Sequence, residues 1–178
     1  ASYGITPGSL TLSESRDQNL DVTRFVSHFY KYCLGRNGDP EGLNDWTGGL
    51  LEHRFDGAYI ASGFIFSDEF RNNNLSDSDF IDVLYKTILG RTADASGKES
   101  WLKCINDGVS RHYILYGFIN SKEFNDLCRT YGITRGNITL DEARDQSREL
   151  SAYITHLYST CLERIPSPDE LNAWADDL

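Results

Sequence analysis

Two aspartates in glycine-containing turns, Asp39 and Asp94, are the first residues in this chain that could do chemistry. Carboxylate oxygens on a turn are what a hard cation such as calcium requires, and they are equally what the first turn of a helix requires as a cap. The sequence chooses between the two, because the same position recurs a third time as Ser167. Serine keeps the capping oxygen and drops the charge, and with Glu170 three residues on it has the spacing of a capping box. Asp39, Asp94 and Ser167 are therefore read as helix caps, with no metal and no cofactor expected. His28, His53, His112 and His156 have no metal-ligand spacing, and no Ser, Cys or Lys nucleophile sits in a recognisable motif. No pair of carboxylates has surroundings that would part their pKa values, so no enzyme is expected.

The recurrence that settles the caps runs through the chain. YGITPGSLTLSESRDQ, from Tyr3, lies on YGITRGNITLDEARDQ, from Tyr131, and this offset of 128 residues continues without a gap to Leu178. A shorter offset of 55 sets FVSHFYKYCLGRNGDPEGLNDW, from Phe25, on FIDVLYKTILGRTADASGKESW, from Phe80. The division that follows is a linker over 1–20, a first unit over 21–76, a second over 77–127, an insertion over 128–150 and half of a third unit over 151–178. Residues kept in all copies are Tyr30, Tyr85 and Tyr158; Arg36, Arg91 and Arg164; and Trp46, Trp101 and Trp174. An Arg just past a helix end can hold free carbonyls or a carboxylate across the unit, so its repetition reads as architecture. The Trp residues share an apolar row with Leu43 and Leu50, which favours core packing over a sugar platform.

Every unit reads as helix. Phe25, Val26, Phe29, Tyr30, Cys33 and Leu34 form a stripe about 180° wide, which suits a helix packed on two sides by stacked neighbours. Gly35 and Gly90 stand where a helix end favours a residue free to take positive φ, although the third copy has Glu163 there. A second helix starts after Asp39 with Pro40 in its first turn, a third is capped by Ser110, and Ser67 and Ser121 cap short fourth helices. Thr11 with Glu14, and Thr139 with Glu142, have capping-box spacing. The expected fold is all-α, stacked helical repeats, two full units and half of a third.

The passages LGRNGDPEGLNDW, LGRTADASGKESW and LERIPSPDELNAW, with GFIFSDEF and GFINSKEF downstream, resemble the bacterial family known as domain of unknown function 4214. That resemblance implies an all-helical module, repeated beside other modules in surface or secreted proteins of Gram-positive gut anaerobes, with no assigned activity. It implies an extracellular, cell-surface location within a longer chain. The lack of any Met agrees with a segment from inside a longer product.

The net charge of -10 opposes a nucleic-acid or anionic lipid partner, and no apolar run approaches the roughly 20 residues needed to cross a bilayer. The expected function is non-catalytic binding or adhesion, to a protein partner such as a host immunoglobulin, with glycan or cell-wall binding and a spacer without ligand as the alternatives. Candidate contact residues are those that differ between copies: Tyr32, Tyr59, Tyr113, Tyr116, Asn72, Asn73 and Asn74. Of the cysteines, Cys33 and Cys161 are equivalent, and the phase of the repeat suggests a Cys128–Cys161 disulfide. Reduced cysteines on apolar helix faces are the competing expectation.

Overall fold

The computed structural model describes residues 12–178, which form twelve α-helices and no strand. A short α1 (Ser15–Gln18) precedes unit 1, which consists of α2 (Leu20–Cys33), α3 (Pro40–Leu51), α4 (Gly57–Ile65) and α5 (Asp68–Arg71). Unit 2 repeats it as α6 (Asp77–Ile88), α7 (Ala95–Asn106), α8 (Arg111–Ile119) and α9 (Lys122–Thr130). After an irregular stretch, α10 (Ala143–Gln146) echoes α1, and α11 (Arg148–Leu162) with α12 (Pro168–Asp177) make unit 3. The helices cross the boundaries read from the repeat: α9 runs past 127 to Thr130, and α11 begins at Arg148 ahead of 151.

Side-chain oxygens start nearly all of these helices. Asp39 accepts from the Gly42 amide at 2.8 Å and Asp94 from the Gly97 amide at 2.8 Å. Ser167 accepts from the Glu170 amide while the Glu170 carboxylate takes the Ser167 amide, completing a capping box. Each cap satisfies an amide that a helix N-terminus leaves without a partner. Bonding to the Gly97 amide, then to Ser96 and Arg91, holds the Asp94 carboxyl at about 2. Gly35 and Gly90 both take φ of 68°, and Glu163 takes φ of 52° in the same left-handed region. Only a glycine does this without steric cost.

The capping box that Thr139 and Glu142 suggest in the insertion does not form. Glu142 itself is the N-cap of α10 and makes no cap bond; it receives Asn172 and Arg144 instead. Thr139 lies in irregular backbone, and Thr11 falls outside the described residues. The reason is that the insertion serves another element. Its Thr134 and Arg135 carbonyls accept the Gly57 and Ala58 amides at 2.8 and 2.7 Å, and so hold it across the N-terminus of α4.

One continuous core runs from Val22 to Ile133, built on Phe25, Phe29, Phe80, Phe118 and Phe124, each at most 1% exposed. Unit 3 buries Ile154 and Leu171 outside that core. It is tied to unit 2 mainly by polar contacts. Buried Asp145 accepts from the Ser110 amide at 2.8 Å and from its hydroxyl, Arg148 pairs with Asp107 at 2.7 Å, and the Thr155 hydroxyl donates to the Asp107 carbonyl at 3.2 Å.

Candidate binding site

The residues that repeat are engaged inside the units. In unit 1 the Arg36 guanidinium lies over the Tyr30 ring and grips Glu69 of α5 with two parallel bonds, Nε at 2.6 Å and Nη2 at 2.9 Å. In unit 2 Arg91 lies over Tyr85 and grips Glu123 of α9 at 3.0 and 3.3 Å. This bonding draws the Glu69 carboxyl below its ordinary range. Both pairs are close to half exposed and solvent screens them, so their value is to fix where the fourth helix sits. Unit 3 differs: Arg164 lies over Tyr158 but takes its carboxylate from Glu170 on its own helix pair, at 2.6 and 2.8 Å. Trp46 packs on Phe64, Phe55 and Tyr59, and Trp101 on Phe118, both half-buried, while Trp174 is 52% exposed.

The contact candidates scatter, and two of them, Tyr59 and Tyr113, are the same position in the two units. Tyr59 is exposed and stacked on Phe55 with centroids 4.5 Å apart. Tyr32 is half-buried, beside His28 and flanked by Lys31 and Lys86. Tyr113 packs against the core and Tyr116 is half-buried. Asn72, Asn73 and Asn74 are exposed where α5 ends, with Asn74 at a positive φ of 47°.

Of the seven, Asn74 alone lines a cleft of about 760 Å³ between the end of unit 1, the start of α8 and the start of α10. Three arginines line it. Arg111 is braced by Asp77 at 2.7 Å and by the Leu75 carbonyl at 2.7 Å. Arg144 bonds Glu142 through Nε at 2.7 Å, which leaves its terminal nitrogens free of carboxylate among the described residues. Arg71 has no carboxylate partner among the described residues; its guanidinium lies 5.8 Å from the Phe66 ring, whose other neighbour is His112, stacked at 5.2 Å. The His112 Nε2 is buried without a hydrogen-bond partner. Ser110, also in the wall, gives its hydroxyl to Asp145 and its oxygen to the His112 and Tyr113 amides, so it is committed as a cap and cannot act as a nucleophile. A cleft of this size with convergent cationic donors suits a carboxylate. Sequence reading missed these residues, although the signal was present: Arg71, Arg111 and His112 align with Asn125, Gly57 and Ala58 in the other copy.

The family model for the domain of unknown function (DUF4214) matches residues 8–56 and again residues 61–128. The chain belongs to this family. The first DUF4214 segment holds Tyr30, Arg36 and Trp46 and the second holds Tyr85, Arg91 and Trp101, while Tyr158, Arg164 and Trp174 of unit 3 lie beyond both. No match was found among curated proteins or among solved structures. Among the described residues, no helix of this DUF4214 chain is long and apolar enough to cross a membrane, and no three His, Cys, Asp or Glu side chains converge to hold a metal.

The Cys128–Cys161 disulfide is not present, and all four cysteines are free. Cys128 is fully buried, packed so tightly beneath α4 that a Cβ on Gly57 would lie 2.8 Å from its sulfur, while Cys161 is exposed on α11. The repeat gives equivalence but not proximity. Burial pushes the Cys33 and Cys128 thiols up to about 12, and the thiolate is the reactive form. Native protein at pH 8 should therefore react with a thiol reagent at Cys161 alone, and with all four after unfolding. Fast native labelling of Cys128, read by peptide mapping, would contradict this burial.

Proposed function

We propose that the chain is a non-catalytic, extracellular binding module of a bacterial surface protein, and that it holds a protein partner through an acidic segment of that partner. What supports the reading is the division of labour among the residues. The recurring Tyr, Arg and Trp of units 1 and 2 are engaged in scaffold contacts, whereas Arg71, Arg111 and His112, which do not recur, line the cleft beside Arg144, whose equivalent is Arg16. A guanidinium with unused donors in a concave wall is a receptor for carboxylate, and it stands out on a chain whose overall net charge is -10.

A host protein such as an immunoglobulin is the partner to test first, with mucosal secretions as the source. Arg71→Ala and Arg144→Ala are each expected to weaken capture about tenfold and to reduce its salt dependence, while Tyr59→Ala and Tyr32→Ala change it little. Binding on a glycan array that is likewise lost in Arg71→Ala, with no protein captured, would favour the glycan alternative. Capture that survives both arginine substitutions would remove the cleft from the reading.

A further inference from the structure

A trough of about 450 Å³ on unit 3 repeats, residue for residue, the surface that unit 1 gives to α4. Leu157, Cys161, Trp174 and Leu178 correspond to Phe29, Cys33, Trp46 and Leu50. Phe29 and Leu50 are 0% and 6% exposed; Leu157 and Leu178 are 41% and 76% exposed. An apolar face of this kind in water calls for a cover.

Both complete units show what that cover is. In unit 1, Phe64 of α4 lies 4.8 Å from Tyr30, edge to face, and 5.3 Å from Trp46. The residue before it, Gly63, passes under the indole so closely that a Cβ would sit 2.8 Å from the ring. In unit 2, Phe118 of α8 lies 5.0 Å from Tyr85, again edge to face, and 5.2 Å from Trp101, and a Cβ on Gly117 would sit 2.4 Å from that ring. A helix with adjacent Gly and Phe is thus the cover in two independent copies: the Gly admits the indole and the Phe fills the angle between Trp and Tyr. In unit 3 the receiving pair is already joined, with the Trp174 Nε1 donating to the Tyr158 hydroxyl at 2.9 Å.

We infer that this trough is a socket for a Gly-Phe helix of the α4 and α8 type, making in unit 3 the interface that those helices make in units 1 and 2. One feature of the cover is dispensable here. Units 1 and 2 need Glu69 or Glu123 from the covering segment to hold their Arg, whereas Arg164 already has Glu170. The socket therefore reads Gly and Phe but not Glu. It shares no residue with the arginine-lined cleft, so it stands or falls apart from the partner reading.

The test joins a second copy of residues 51–76 after Leu178, the register in which Leu178 corresponds to Leu50, and reads the alkylation rate of the native Cys161 thiol. The unextended protein supplies the open-socket rate. The extended protein should react at least tenfold more slowly, and its tryptophan emission should shift to the blue. Gly63→Leu or Phe64→Ala in the added segment should restore the open rate, while Glu69→Ala there should leave protection intact. A synthetic peptide of residues 54–75, added in trans to the unextended protein, should protect the same thiol in a concentration-dependent way and lose this on Gly63→Leu. An extended protein whose Cys161 reacts at the open rate, or one protected equally with and without Gly63→Leu and Phe64→Ala, would overturn the socket.

Discussion

Trp46→Ala and Trp101→Ala are each expected to destabilise the protein by about 3 kcal/mol, whereas Trp174→Ala should cost under about 1 kcal/mol. The three residues are equivalent in sequence and differ in cover. Trp46 touches Phe55, Tyr59 and Phe64, and Trp101 rests on Phe118, so truncation leaves a void beside a glycine with no side chain to fill it. Half-burial sets the figure at the lower end of the range for core aromatics. Trp174 is 52% exposed and loses mainly its contact with Tyr158. Urea midpoints at constant slope decide the matter. A Trp46→Ala protein as stable as its parent, but deficient in binding, would make that indole a contact residue.

Asp145→Ala should have the second large effect, about 2 to 4 kcal/mol at the junction of units 2 and 3. Its carboxylate, 2% exposed, is the partner of both the Ser110 amide and the Ser110 hydroxyl. Removing it strands two donors at the start of α8 and unfastens α10. Unit 3 has little apolar contact to compensate, since only Ile154 and Leu171 of that unit are buried hydrophobics. The expected signature is a split urea transition, with hydrogen exchange rising first over residues 143–178 and the core of units 1 and 2 holding to higher denaturant. Loss of all structure in one transition would show that unit 3 is part of the main cooperative unit. The equivalent residue in the first copy, Asp17, is exposed, and Asp17→Ala should cost little.

The repeat made much of the fold legible, because each position could be compared with its copies. Ser167 in place of Asp39 marked the cap, and the recurrence of Tyr, Arg and Trp marked the scaffold. What one copy cannot report is which distant segment it meets. Both GF-x-x-S-x-EF endings were visible, yet nothing local says that their Glu returns to the Arg of LGR some thirty residues earlier. The disulfide failed for the same reason: Cys33 and Cys161 share a phase, but one is buried and the other lies on an uncovered face. The cleft was hidden because its walls come from three elements far apart in sequence: Arg71 and Arg111 stand where the other copy has Asn and Gly, while Arg144 recurs as Arg16, so no motif collects the three.

Scaffold and contact roles separate most directly in the hydrogen-exchange footprint of the chain bound to a partner captured from mucosal secretions. Slowed exchange should concentrate in residues 66–75, 111–113 and 142–144, around Arg71, Arg111 and Arg144, with Arg36, Arg91 and the Trp positions unchanged. Slowed exchange centred on Arg36, Arg91, Trp46 and Trp101, with the arginine-lined cleft as open as in the free chain, would contradict it and make the repeated residues the binding site.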